Sequence, residues 1–337
     1  MSIKILQVGL GPLGVKMAKF IAEREGYRTV GAIEKSVNLV GKDLGRMCNS
    51  NVNGVIISDD FDAVINKTNP DVALLTTVSD MERITPQIEH LVSRGLPVVT
   101  TCEELSFPWD TNPELANRIN IAAQKEKVAV VSTGVNPGFL MDTLPVTLTA
   151  VCQDVSKIEV NRFQDARFRR IPFQKKIGAG LTLDEFEERK QNGSLRHVGL
   201  TESMQFIAHS LGWSLDHTED NIYPVIAEQR IETDDLIIEA GHATGVKQVG
   251  RGLTNGEEKI TLVFQAAVGE PSSYDEVKVT GNPDIYSRIE GGVNGDIATC
   301  AITINTIPAL LKSGPGLKTM AEIPTVSFSS NPALVEI

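Results

Sequence analysis

Gly9-Leu10-Gly11-Pro12-Leu13-Gly14 is the stretch of this sequence whose residue types and spacing most directly specify chemistry. It matches GxGxxG, directly after an apolar run and at the start of an amphipathic one. In that context the first glycine permits a tight turn, the second lets backbone approach a pyrophosphate, and the third lets helix pack on strand. The helix amino terminus adds unpaired N–H groups, and Pro12 is tolerated there because an early helical N–H has no intrahelical acceptor. Twenty residues beyond Gly14, at the end of the next β-branched run, stands Glu34, where a carboxylate accepts from ribose hydroxyls. These residues predict a dinucleotide site. Glu34 disfavours a 2′-phosphate and so favours NAD, whereas Lys35 and Ser36 can contact that phosphate, so NADP stays open. Thr76 and Thr77 close another short run, where ligands bind in open α/β sheets, although β-propensity alone also accounts for threonine there.

The elements that must position these residues follow from periodicity. Short β-branched runs near 3–8, 28–33, 54–57, 71–76, 97–101 and 128–132 alternate with amphipathic stretches, the pattern of βα units around a parallel sheet. Thr85-Pro86 is expected to open one helix, which Gly95 closes. After Gly138 longer alternating runs, such as 156–164, 221–233 and 259–268, suit an antiparallel sheet. Thr182 to Glu185 reads as a capping box opening a helix to Gln191. Thr201 to Leu211 reads as another helix, and Asp296 to Leu311 as a buried one stopped by Ser313-Gly314-Pro315. The expected fold class is α/β: a Rossmann-type parallel-sheet domain over 1–137, then an α+β domain over 138–295 with a mostly antiparallel sheet for substrate binding and dimerisation. The segment 296–337 is expected to pack back on the first domain.

Composition bounds the function class. The 337 residues carry 32 basic and 43 acidic side chains, a formal net charge of −11, which argues against nucleic acid and anionic membranes as partners. Cys48, Cys102, Cys152 and Cys300 form no CxxC pair, so neither zinc nor a disulfide framework is indicated. His90, His209, His217 and His242 lack ligand spacing, and no metal is expected. With no leader or long apolar window, the expected location is the cytoplasm.

Further segments carry a resemblance. They are Thr101-Cys102-Glu103-Glu104-Leu105, Gly134-Val135-Asn136-Pro137-Gly138-Phe139, the run from Arg169 to Gly180, Arg196-His197-Val198-Gly199-Leu200, and the run from Gly291 to Thr299. Together they resemble the family of 2,4-diaminopentanoate dehydrogenases and native amine dehydrogenases, itself related to dihydrodipicolinate reductase, over most of the chain. The resemblance implies reversible oxidative deamination of a primary amine, such as 2,4-diaminopentanoate or a simple aliphatic amine, to a ketone or aldehyde plus ammonia. It implies hydride transfer to nicotinamide, a substrate held between the domains, and a homodimer formed through the second-domain sheet. It also implies an acidic catalytic residue after the fifth strand, where both Glu103 and Glu104 lie. Glu104 is preferred, because it falls opposite the catalytic lysine that related sugar-type oxidoreductases carry in a Cys-Glu-Lys-Pro stretch. A half-buried glutamate can take a proton from ammonium and return it as the carbinolamine loses water. The alternative for either glutamate is to cap a helix.

Asn136 is counted with the cofactor set, in a segment where polar backbone can face cofactor and substrate. Phe139, Met141, Phe168, Phe173, His197 and Thr303 form the substrate set. Phe168 and Phe173 serve equally as core packing, and His197 equally as an ordinary histidine. The Arg169-Arg170 and Lys175-Lys176 pairs can hold a substrate carboxylate or lie solvated. Two rivals remain. Dihydrodipicolinate reductase carries a paired-histidine and lysine motif that is missing here, and a dinucleotide-binding sensor without catalysis has the same cofactor domain.

Overall fold

The computed structural model describes residues 2–48, 54–169, 171–195, 198–234 and 236–332, apart from the side chain of Phe168. The described residues fall into two compact units, one within Met1–Phe139 and Gly295–Ile337, the other Leu140–Asn294.

The first unit is built on seven strands, β1 (Ile3–Val8), β2 (Tyr27–Ile33), β3 (Ile57–Ser58), β4 (Val72–Leu75), β5 (Val98–Thr100), β6 (Ala129–Ser132) and β15 (Gly316–Lys318). Their order is β15-β6-β5-β4-β1-β2-β3, and every neighbouring pair is parallel. The order reverses between β1 and β4, the switch point at which such sheets open a crevice beyond their carboxyl ends. Strand β4 is buried along its whole length, as expected where both sheet faces are covered. Successive residues of β2 separate two cores. Ile33 joins Met81, Ile84, Ile88, Ala116 and Ile119 from the helices Met81–Ser93 and Pro113–Lys125, whereas Ala32 joins Leu10, Ala18 and Leu44. Because neighbouring residues of a strand point to opposite faces, these clusters lie on the two sides of the sheet. The helix Gly295–Leu311 packs on the helix Pro12–Ala22 and on β5 and β6.

Three details depart from the sequence reading. The helix expected to open at Thr85 begins at Met81, with Asp80 as the N-cap accepting from the Arg83 N–H at 2.8 Å. Pro86 lies inside it, and the Thr85 hydroxyl bonds back to the Met81 carbonyl. The run at 54–57 shrinks to Ile57–Ser58, because the Gly54 N–H goes to Asp43 and Ile56 bridges antiparallel to Asp43. The seventh strand, β15, lies just past Pro315 and was not expected at all.

The second unit holds β7 (Asp154–Asp165), β8 (His217–Ile226), β11 (Ala243–Thr254), β12 (Glu257–Ala267), β13 (Tyr274–Asn282) and β14 (Ile285–Glu290), in the order β14-β13-β7-β12-β11-β8. A separate short hairpin pairs β9 (Ile231–Glu232) with β10 (Ile237–Ile238). The pair of β7 and β12 is parallel and the other pairs of the large sheet are antiparallel. The mostly antiparallel expectation therefore holds. The capping box at Thr182 opens Leu183–Gln191, and Leu200–Ser210 packs on β8, β11 and β12. On the inner face Arg162 is 2 % exposed and bonds Asp275 at 2.7 Å. Both side chains also hold Val293, Arg162 through its carbonyl and Asp275 through its N–H. That ion pair fixes the backbone just before the chain leaves the unit at Asn294.

Candidate functional site

The loop between β1 and the first helix assigns each glycine its own reason. Gly9 has φ +89°, and a Cβ there would lie 2.7 Å from the Thr76 carbonyl oxygen. A Cβ on Gly14 would lie 2.1 Å from the Gly9 carbonyl oxygen, so the strand-to-helix turn closes only over glycine. Gly11 is different. Its φ of −63° suits any residue, it is exposed, and a Cβ there would meet nothing within 4 Å. The fold does not need that glycine, and the space beside it is open. Pro12 is the first helical residue, Leu13 follows half-buried, and the Gly11 carbonyl accepts the first helical bond from Val15.

Glu34 ends β2 beside this loop. One carboxylate oxygen accepts from the Leu10 N–H at 2.8 Å, and the other from the N–H groups of Lys35 and Ser36. The carboxylate thus ties the glycine loop to the end of the second strand. A cleft of about 950 Å³ opens here, lined by Gly9, Glu34, Lys35 and Thr77 and also by Asp60, Phe61, Arg83, Gln87 and His90. Those five were not singled out from the sequence. The visible signal was positional: Asp60 and Phe61 follow β3, and the carboxyl end of each strand in such a sheet is a binding position.

On the other side of the switch point the loops after β4, β5 and β6 each present polar side chains. Thr76 donates to the Gly9 carbonyl at 3.0 Å and accepts from Gln7, so it braces the glycine loop. Thr77 is exposed and donates to Gln87. After β5, Glu103 and Glu104 form a short 3₁₀ turn, Glu103–Leu105, and both are half-buried. A Glu104 oxygen accepts from the Met81 N–H at 2.9 Å. Glu104 therefore sits at the amino terminus of the helix Met81–Ser93, which favours negative charge. Cys102 beside it is buried, and burial pushes its thiol up to about 12, so it stays protonated and is no nucleophile. After β6, Asn136 is 8 % exposed and Thr133 2 %. Among the described residues neither Asn136 amide atom has a hydrogen-bond partner, nor has the Thr133 hydroxyl.

The substrate set is spread across both units. Phe139 and Thr303 belong to the first unit; Phe139 is half-buried, while Thr303 is sealed and donates to the Thr299 carbonyl. Met141 is fully buried in the second unit, where the Arg169 guanidinium lies 4.0 Å over the Phe173 ring. His197, Arg196 and Arg170 lie outside the described residues, as does the Phe168 side chain. Among the described residues no cluster of histidine, cysteine, aspartate or glutamate could hold a metal, and the four cysteines are free. No helix among them is long and apolar enough to cross a membrane.

Residues 139–332 match the family model described as the 2,4-diaminopentanoate dehydrogenase C-terminal domain, and residues 3–103 match that of the dihydrodipicolinate reductase N-terminus. A 2,4-diaminopentanoate dehydrogenase of Acetoanaerobium sticklandii is 30 % identical, over 96 % of this chain and 93 % of its own length. The solved structure of an amine dehydrogenase from Mycobacterium smegmatis superposes with a TM-score of 0.84 at 21 % identity, covering 98 % of both chains. A dihydrodipicolinate reductase from Paenisporosarcina sp. TG-14 gives 0.52 at 12 % identity, covering 95 % of this chain and 98 % of that one. These two share the fold: a Rossmann-type sheet unit followed by a mixed, mostly antiparallel one. The full-length relative and the match over the second unit establish the family, and the chain belongs to the 2,4-diaminopentanoate dehydrogenases.

Proposed function

We propose that this chain is an NAD(P)-dependent amine dehydrogenase that prefers NAD and converts a primary amine reversibly to a ketone or aldehyde plus ammonia. The observation that carries the reading is a half-buried carboxylate, Glu104, after β5, in the same unit as a glycine loop that leaves open space at Gly11. The loop fits a dinucleotide: Gly9 and Gly14 are demanded by the turn, and Gly11 by an approaching pyrophosphate. Gly9 to Gly14 with Thr76 and Thr77 would hold the phosphates, Glu34 and Lys35 the adenosine ribose, and Asn136 the nicotinamide end. The bound cofactor supplies the hydride acceptor.

The net reaction is R₂CH–NH₃⁺ + NAD⁺ + H₂O giving R₂C=O + NH₄⁺ + NADH + H⁺. In this reading Glu104 accepts a proton from the substrate ammonium, which frees the nitrogen lone pair to drive hydride departure from carbon. Water then adds to the resulting iminium carbon and loses one proton to solvent, Glu104 returns its proton to nitrogen, and ammonia leaves as the carbonyl forms with loss of the second water proton, which ammonia takes up. The Met81 N–H holds one carboxylate oxygen, which fixes the group while the acid–base exchange proceeds. Glu103, on the same turn, is the alternative base. The amine is 2,4-diaminopentanoate or a simple aliphatic amine, the first supported by the name of the 30 % identical relative.

A homodimer through the large sheet of the second unit belongs to the same reading. Tyr223 and Tyr286, on its outer strands, are 47 % and 60 % exposed, and a mass measurement in solution tests the pairing. Four free cysteines suit a reducing cytoplasm. The activity is tested by following reduced cofactor, with NAD and with NADP, across a panel of diamino acids, amino acids and aliphatic amines. Reduction by at least one amine is expected. Dinucleotide binding with no turnover of any amine would mark a sensor instead.

A further inference from the structure

Asn136 is 92 % buried, the complement of its 8 % exposure, and among the described residues both its amide oxygen and its amide nitrogen lack any hydrogen-bond partner. A buried amide left open at both ends is uncommon, because each unmade bond carries the desolvation penalty of a polar group. The turn that carries it is closely built. The Thr133 N–H donates to the Thr100 carbonyl, the Val135 N–H donates to the Thr299 hydroxyl, and a Cβ on Gly138 would lie 2.4 Å from the Gly134 nitrogen. The backbone is thus anchored to β5 and to the helix Gly295–Leu311 while the side chain at its centre is left unpaired. Such a group is satisfied by a ligand that offers a donor and an acceptor together.

Position narrows the ligand. The cleft spans the switch point, from Glu34, Lys35 and Asp60 after β2 and β3 to Thr77, Arg83 and Gln87 beyond β4, so a dinucleotide with its adenosine at Glu34 runs its other half past β4 toward β5 and β6. Strand β6 stands three strand spacings from β1, roughly 14 Å. On that side Thr76 is engaged with Gly9, Thr77 with Gln87, and Glu104 with Met81. Among the described residues the Asn136 amide is bonded in neither direction.

We propose that Asn136 is the receptor for the nicotinamide carboxamide. Its Nδ2 donates to the carboxamide oxygen and its Oδ1 accepts from the carboxamide NH₂, a reciprocal pair that matches one amide to another. Rotation of the ring about its glycosidic bond would break both bonds, so the pair selects one face of the nicotinamide for hydride transfer. The Thr133 hydroxyl, buried three residues earlier in the same turn, gives the ring end of the cofactor a further polar partner. This inference rests on the dinucleotide reading above.

The test is calorimetric binding of NAD, of ADP-ribose, which lacks the nicotinamide, and of 3-acetylpyridine adenine dinucleotide, which keeps the carbonyl but has no amide N–H. Unaltered protein should bind NAD more tightly than the acetylpyridine analogue. Asn136→Ala should weaken NAD about tenfold, the loss expected for two ordinary hydrogen bonds, and should leave ADP-ribose within twofold. It should also abolish the preference for NAD over the analogue. Asn136→Leu, which keeps the bulk, should behave alike, and retained ADP-ribose binding certifies the fold of each variant. Hydride transfer from deuterated cofactor should lose its facial selectivity in the same variants. Equal loss of NAD and ADP-ribose, or an unchanged preference for NAD over the analogue, would overturn the assignment while leaving the dinucleotide site intact. Failure of unaltered protein to bind ADP-ribose or NAD would overturn the dinucleotide reading itself, and this inference with it.

Discussion

Glu34 and Leu10 are joined by a hydrogen bond of 2.8 Å from the Leu10 N–H to a carboxylate oxygen, so the residue proposed to read the ribose also holds the glycine loop. Replacing Glu34 by serine removes the charge that repels a 2′-phosphate while Lys35 stays in the cleft. The ratio of NADP to NAD affinity should rise by about tenfold or more, equivalent to about 1.4 kcal/mol. Both affinities should also fall somewhat, because the loop loses its tether. Titration of both dinucleotides into the variant checks this, and an unchanged ratio would move ribose recognition elsewhere.

Gly11 and Gly14 should respond in opposite ways. A Cβ at Gly11 meets nothing within 4 Å, so Gly11→Val should leave thermal stability nearly unchanged and weaken dinucleotide binding by about tenfold or more. A Cβ at Gly14 lies 2.1 Å from the Gly9 carbonyl oxygen, so Gly14→Ala should lower the melting temperature even without ligand. Melting curves recorded with and without NAD separate the two, and unchanged affinity in Gly11→Val would contradict the account.

Glu104→Gln keeps an acceptor for the Met81 N–H and removes the proton acceptor. Turnover should fall by roughly 10²–10⁴-fold with cofactor affinity and fold retained. Glu103→Gln should stay within a few fold of the parent. The reverse pattern in steady-state rates would assign the base to Glu103.

The second unit should lose stability in acid through Glu276. Burial works to raise its carboxyl, but hydrogen bonds from Tyr286, Lys278, Asn161 and Arg288 outweigh it and hold the group at about 2, below its ordinary 4.5. A depressed carboxyl stabilises the fold above the unfolded value and loses that contribution as pH falls through the folded one. Denaturant midpoints should therefore drop between about pH 4.5 and pH 2. Glu276→Gln should be less stable at neutral pH and show a shallower decline over that window. A parallel decline in both proteins would place the acid sensitivity in other groups.

What could be read from the sequence divides by the range of the interaction. The glycine loop, Glu34 and the Thr182 capping box are local, and each stands where its spacing implied. The Met81 helix begins four residues before the Thr85-Pro86 start that the proline suggested, because Asp80 makes the capping bond. Strand β15 is three residues long and exists by pairing with β6, almost two hundred residues earlier, which no local pattern records. Phe61, Arg83 and His90 come to one cleft only through the order of the strands. Likewise, the sequence places Asn136 in the cofactor set only through its segment; its open amide is visible only once its neighbours are in place. Met141 and Thr303, counted with the substrate set, are both completely buried.

The reaction itself is most directly tested in the aminating direction, by supplying ¹⁵N-ammonium, NADH or NADPH, and a panel of ketones, aldehydes and 2-amino-4-oxopentanoate, then examining the products by mass spectrometry. The account predicts a primary amine carrying one ¹⁵N for each reduced cofactor consumed, and almost none with Glu104→Gln. Cofactor oxidation that yields an alcohol, or no product despite tight dinucleotide binding, would contradict it.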